Sequence, residues 1–278
     1  MRENVTLAWR TDFWENLPAF RLVPRALREN IRALESWPRV EEYNALFAAT
    51  PNLPRFAVQD KARLKEMGGY DAFIVRQREV PTRPNNYHDF FNAMAWACFP
   101  KTKSLIHELQ WREQRREDGR PGQNGRTIFQ NALTAFDESG LLVLSSDKEL
   151  LEQLLDLQWR ECFWQRREKV LRSMRWFSLG HSTLEGLLTP HRGLTAKALL
   201  IETSGSCFES PQLLRILDLF LVEHLVSLVE TTRSLAPIPV LGIPNWAHEQ
   251  TEEFYLDSSY FRTKHIREVV RPRIHQLG

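Results

Sequence analysis

The sequence predicts a mainly α-helical chain with a small β-sheet (α+β), folded as one compact globular domain over residues 1–278. Three observations carry that expectation. Apolar residues recur at helical spacing through much of the chain. Strand-like apolar runs are confined to two short stretches, 141–144 (LLVL) and 196–201 (AKALLI). The third is composition: 42% apolar and 11% aromatic residues in 278 supply a large core, and nine Trp add indoles that pack while their N–H groups find acceptors.

Proline punctuates the first hundred residues. Pro24 and Pro38 suit the first helical position of segments 24–34 and 38–49. Ala26, Leu27, Ile31 and Leu34 make one stripe of the first. Pro51 and Pro54 force a loop, and 70–76 fits either a strand or a helix. Residues 1–69 therefore read as a helical N-terminal part. Asn86 followed by Asp89 resembles a capping box with Asp in place of Glu or Gln. It opens a helix from His88 to Cys98 that is apolar on nearly all sides and stops before Pro100.

Thr102 can cap a further helix to about Glu117. Residues 118–125 (DGRPGQNG) are the clearest loop, and a loop this short fits inside one domain. Segment 126–136 reads as a helix closing at Asp137-Glu138-Ser139-Gly140, before the first strand. Ser146 with Glu149 forms a capping box ahead of a long helical stretch from 147 to about 177. A short helix, 181–188, follows Gly180. Beyond the second strand, Ser210-Pro211 opens an apolar helix to Glu230. The tail, 237–278, is expected to be irregular, Pro-rich and aromatic, packed on the body.

Charge and cysteine usage exclude several classes. Lys and Arg number 37 against 35 Asp and Glu, which argues against a wholesale nucleic-acid or membrane coat. Residues 1–10 lack a continuous apolar run, so no secretory signal is expected. The best membrane candidate, 213–229, is broken by Arg215, Asp218, Glu223 and His224. Each charge costs roughly 2.5–3.5 kcal/mol at mid-bilayer. Cys98, Cys162 and Cys207 are odd in number and form no CxxC, so Cys98 and Cys162 are expected as reduced core thiols of a cytoplasmic protein.

The densest polar constellation runs from Arg83 to Asn92, ahead of Lys103. It sets Arg, His, Asp and Asn at the start of an otherwise buried helix, where polar groups must be paired or used. One reading makes His88 a base or metal ligand, with Arg83 and Lys103 as anion clamps and Asn92 as a binding residue. The other is a cap in which Asp89 takes backbone N–H groups and pairs with Arg83. A second constellation sets His181 and Glu185 one helical turn apart, a spacing that can chelate a metal or orient an imidazole. Asp137-Glu138 can contribute a carboxylate, although acidic turns before Gly are ordinary. His107, His224, His248, His265 and His275 have no partner at informative spacing. No Gly-rich phosphate loop, HExxH or Gly-x-Ser-x-Gly occurs.

The string RPNNYHDFFNAMAWACFPKTK (83–103) resembles the signature of an uncharacterised bacterial family, domain of unknown function 3025. Phe136 to Gly140, Gly180-His181 with Glu185, and PVLGIPNW (239–246) followed by Phe254-Tyr255 are similar to it as well. Asn245 stands where that family's pattern has Gly. The resemblance implies kinship and a bacterial cytoplasmic setting, and assigns no catalytic residue.

The leading expectation is a hydrolase of a phosphate-containing or other anionic small molecule. His88, Asp89, His181 and Glu185 are its catalytic and candidate metal-ligating residues, Arg83, Asn92 and Lys103 bind substrate, and a divalent metal is the candidate cofactor. The alternatives are a non-catalytic RNA- or ribosome-associated protein using Arg112–Arg126 and Arg166–Arg175, and a protein–protein adaptor using aromatic residues 246–261. Interleaved Glu residues disfavour RNA binding.

Overall fold

In the computed structural model, residues 8–10, 13, 25–115, 125–263 and 271–277 are described. Pro24, most of the loop expected at 118–125, and Arg116 and Arg120 lie outside them. Elements α1 (Arg25–Arg32), α2 (Val40–Leu46), β1 (Arg55–Val58), α3 (Lys61–Glu66), α4 (Tyr70–Gln77) and β2 (Glu79–Thr82) come first. Next come α5 (Tyr87–Cys98), α6 (Pro100–Gln114), α7 (Ile128–Ser139), β3 (Gly140–Ser145) and α8 (Lys148–Leu155). A π-helical segment (Arg160–Gln165), α9 (Arg167–Ser173), β4 (Met174–Ser178), α10 (His181–Gly186) and β5 (Thr195–Glu202) follow. The long α11 (Leu213–Leu228) and strands β6 (Ala236–Pro239) and β7 (Ile274–Gln276) complete a mainly helical α+β architecture.

Strands β1 and β2 pair in parallel as a separate ribbon, from Arg55 opposite Glu79 to Val58 opposite Thr82. The larger sheet has the order β4-β3-β5-β6. β3 is antiparallel to β4 and parallel to β5. β6 covers the first half of β5 and β7 runs parallel to its second half, so the two share one edge. Side chains alternate across a strand, and both faces here are covered, which is why β3 and β5 read as nearly continuous apolar runs. Leu141, Val143, Ala196, Ala198 and Leu200 point into a core shared with Phe90, Phe91 and Met94 of α5. Leu142, Leu144, Leu199 and Ile201 point to the other face, against Ile106, Leu133, Phe136, Leu217, Leu221 and Leu225 of α6, α7 and α11.

Several expectations are corrected. The stretch 147–177 is not one helix. It breaks at Leu157, which adopts a left-handed φ of 58°. That conformation costs roughly 1–2 kcal/mol for a residue with a Cβ, and burial of the Leu157 side chain opposes it. Asp147, rather than Ser146, caps α8 through Glu149 N–H. The stretch then ends in strand β4, hidden because its five residues follow a charged helical run. Segment 70–76 resolves as helix. The tail contributes β6 and β7, and Trp246, Tyr255, Tyr260 and Phe261 are buried in the first core. These rings face inward and serve the core. Asn245 takes a φ of 68°, a left-handed position that Asn tolerates nearly as Gly does.

Cys162 is buried, Cys98 is only partly so, and both are free thiols. No described helix is long and apolar enough to cross a membrane.

Candidate functional site

The site is assembled by sheet register. Because β3 and β4 are antiparallel with Leu141 opposite Ser178, the residues just before β3 lie beside those just after β4. The last turn of α7, with Asp137 and Glu138, therefore meets the first turn of α10, with His181 and Ser182. Two glycines permit the approach. Leu179 and Gly180 both donate their N–H to Gly140 O, at 3.0 and 2.8 Å. A Cβ on Gly180 would lie 2.4 Å from Ser139 Cα, and one on Gly140 would lie 2.3 Å from Phe136 O. Neither obstacle is a flexible side-chain end. Gly180→Ala is expected to cost about 3 kcal/mol, the upper end for overpacking, seen as a lower urea midpoint at unchanged m. A variant as stable as the parent would contradict the tight crossing.

Helix α5 packs across α10 and supplies His88. Its start is a cap: Asn86 Oδ1 accepts from Asp89 N at 3.0 Å. Asp89 Oδ2 accepts from Arg83 N and Nε at 2.6 and 3.0 Å, and Oδ1 accepts from Arg83 Nη2 at 2.6 Å. Asp89 and Arg83 thus satisfy each other. His88, on the next face of the helix, is left to turn toward α10.

Three donor atoms converge there. His88 Nε2 and His181 Nε2 are 3.1 Å apart, His181 Nε2 and Glu138 Oε2 are 3.5 Å apart, and His88 Nε2 and Glu138 Oε2 are 3.8 Å apart. The circle through these atoms has a radius of about 2.0 Å, matching the roughly 2.0–2.2 Å bonds of zinc to imidazole nitrogen and carboxylate oxygen. This is the set among the described residues that can hold a metal ion. Each ligand also has outer support. His88 Nδ1 donates to Glu185 Oε2 at 3.0 Å, which leaves the Nε2 lone pair facing the common point. Ser182 Oγ donates to Glu138 Oε2.

The two imidazoles are pushed apart in basicity. Burial, then the nearby Lys103 charge, lowers His181 well below its ordinary value, so it stays neutral and keeps a lone pair. Burial also opposes the charge on His88, but the Glu185 hydrogen bond and the Glu138 and Glu185 charges outweigh it and raise its pKa.

A cavity of about 310 Å³ opens beside the cluster, with His88, Glu138 and His181 in its lining. Lys103, fully buried, pairs with Asp137. Burial drives the Asp137 carboxyl up, but the Lys103 ammonium outweighs it and holds the carboxyl well below the usual carboxylate range. On the far wall His107 Nδ1 lies 2.8 Å from Asp71 Oδ1, and its ring stacks on Trp96. His107 Nε2 is buried without a partner, as is Asn92 Oδ1, whereas Asn92 Nδ2 donates to Tyr70 OH at 3.2 Å.

Of the residues expected from sequence, His88, His181 and Glu185 come together and Asn92 lines the cavity. Both Asp89 oxygens are taken by Arg83 while Asn86 caps the helix, so Asp89 stays outside the donor set. Lys103 serves Asp137 rather than a ligand, because an ammonium this deeply buried requires a counter-charge. Glu138, named only as part of an acidic turn, is the third donor. Ser182 and the Asp71–His107 pair had no role in the sequence reading. Their partners are 36 to 94 residues away, so no local spacing marks them.

No curated protein and no solved structure matches the chain. Residues 54–265 match the family described as protein of unknown function (DUF3025), a span that contains every residue of the cluster.

Proposed function

The chain belongs to the DUF3025 family, and from that premise we propose that it is a divalent-metal-dependent hydrolase of a small-molecule substrate. The observation that carries this reading is the convergence of His88, Glu138 and His181 on one point at metal-bond distance, beside a cavity. Structural zinc sites close four protein ligands, whereas catalytic ones use three and keep a position open; two His and one Glu is a known catalytic set. A divalent ion held by His88, Glu138 and His181 would supply Lewis-acid activation of water and of a substrate oxygen.

The remaining roles belong to the chain. Glu185 fixes the orientation and tautomer of His88. Ser182 holds Glu138. His107, with Nδ1 directed to Asp71, is the group on the cavity wall left for proton transfer.

A metal-free reading has its own support, since His88 and His181 at 3.1 Å with opposed basicities can share one proton. Equilibrium dialysis of the full chain against zinc and manganese separates the two. The expected result is one tightly held equivalent, with hydrolysis of chromogenic phosphate or carboxylate esters abolished by a chelator and restored by the metal. Hydrolysis that survives complete chelation would select the metal-free pair, and absence of a bound equivalent at micromolar metal would sink the metal reading.

RNA binding is not part of the proposal. Arg112 pairs with Glu108, Arg166 with Glu149, Lys169 with Asp147 and Arg172 with Glu168.

A further inference from the structure

The charges lining the cavity do not all find partners. Of its carboxylates, Asp71 is held by His107 and Gln114, Asp89 by Arg83, and Asp137 by Lys103. Glu138 accepts from Ser182 and belongs to the donor triangle. Of its two arginines, Arg83 turns its guanidinium to Asp89 and Asn86. Arg126 is different. It lines the same cavity, yet among the described residues it has no carboxylate partner, and its one hydrogen bond is a long one to Thr134 Oγ1 at 3.3 Å.

The position of that bond matters. Thr134 lies on α7 one helical turn before Glu138, and residues four apart have Cβ atoms about 5–6 Å from each other on one face. Thr134 Oγ1 is itself fixed, accepting from Gln110 Nε2 at 2.8 Å and donating to Gln130 O at 2.9 Å. The guanidinium is therefore anchored along the same face of α7 as the metal ligand. A guanidinium offers five N–H donors in a planar fork and no acceptor, which matches carboxylate or phosphate oxygens two at a time. Arg126 thus brings an unspent positive charge to the same cavity that the donor triangle borders. At about 310 Å³ the space is of small-molecule size.

We infer that Arg126 selects the substrate, and that the substrate is a small molecule bearing an oxyanion group, phosphate or carboxylate, which Arg126 grips while another part faces the metal centre. This inference rests on the metal-centre reading above. It also moves anion recognition away from Arg83 and Lys103, whose charges are already spent inside the fold.

The test measures binding of inorganic phosphate, acetate and, as a neutral control, glycerol by titration calorimetry. The full-length protein is used both zinc-loaded and zinc-free, and zinc affinity is read separately by chelator competition. Arg126→Ala is expected to weaken phosphate or acetate binding roughly tenfold or more in both forms, as loss of a charge-assisted fork implies. Arg126→Lys retains part of it as a point charge. Glycerol binding and zinc affinity stay within about twofold of the parent, and an unchanged melting temperature shows that the exposed position is not needed for folding. Stronger phosphate than acetate binding identifies a phosphate substrate, and the reverse a carboxylate. If zinc-loaded Arg126→Ala binds both anions as the parent does, the inference is overturned and the metal centre stands. If zinc fails to bind but anion binding remains Arg126-dependent, the metal reading falls and the oxyanion site survives.

Discussion

Replacing Lys103 by methionine is expected to lower the unfolding free energy by about 3–5 kcal/mol, the cost of breaking a buried ion pair from one side. Lys103 is fully buried, and Asp137 would be left without its ammonium. Methionine keeps the chain volume and removes only what the ammonium makes, the ion pair and the cation–π contact with Trp96, so the loss reports the charge rather than a cavity. The double variant Lys103→Met with Asp137→Asn should recover much of the stability, since the uncompensated carboxylate is then gone. Urea unfolding with a constant m-value is the measurement. A single variant within about 1 kcal/mol of the parent would mean that Asp137 finds another partner, and the electrostatic account of the site's floor would fail.

The second large effect concerns the metal centre. His181→Ala and Glu138→Gln each remove one of three donors and are expected to weaken zinc binding by about a hundredfold or more. Glu185→Gln, which touches only His88 Nδ1, should weaken it roughly tenfold, within the range for outer partners of a ligand. Asp89→Asn provides the contrast. It weakens the Arg83 contacts at the start of α5 while leaving all three donors in place, so stability falls and zinc affinity changes little. Chelator competition reads affinity and thermal unfolding reads stability. If Asp89→Asn abolished zinc binding while Glu138→Gln left it intact, the donor set would be wrong.

How much of this was legible in advance differs by residue. The pair His181 and Glu185 is visible as one turn of helix, and the start of α5 is visible as a cap, because both are statements about neighbours in sequence. At that start Asn86 caps the helix, Asp89 pairs with Arg83 and His88 joins the cluster. Sequence placed Asp137 and Glu138 in an ordinary acidic turn, and nothing local distinguishes them from one. Their roles come from what stands opposite: Lys103 across from Asp137, and the two imidazoles across from Glu138.

Local periodicity by itself determined the mainly helical α+β class, the apolar strands β3 and β5, the buried α5, the existence of α11 (which buries one face only) and the two helix starts that carry His88 and His181. These features follow from forces acting over one or two turns of chain, such as side-chain burial on one face, capping of free N–H groups and the rigidity of proline. Tertiary structure alone decided the rest. The N–H groups of Lys101 and Thr102 at the start of α6 are capped by Asp218, at 3.1 and 2.8 Å, from more than a hundred residues away. Strand β4 forms because β3 offers it an edge. The donor triangle exists because that same antiparallel register lays α7 beside α10 and two glycines let their backbones touch. Hydrogen-bond and ligand geometry depends on distances of a few ångströms between groups far apart in sequence, and no spacing along the chain encodes such a distance until the sheet closes it.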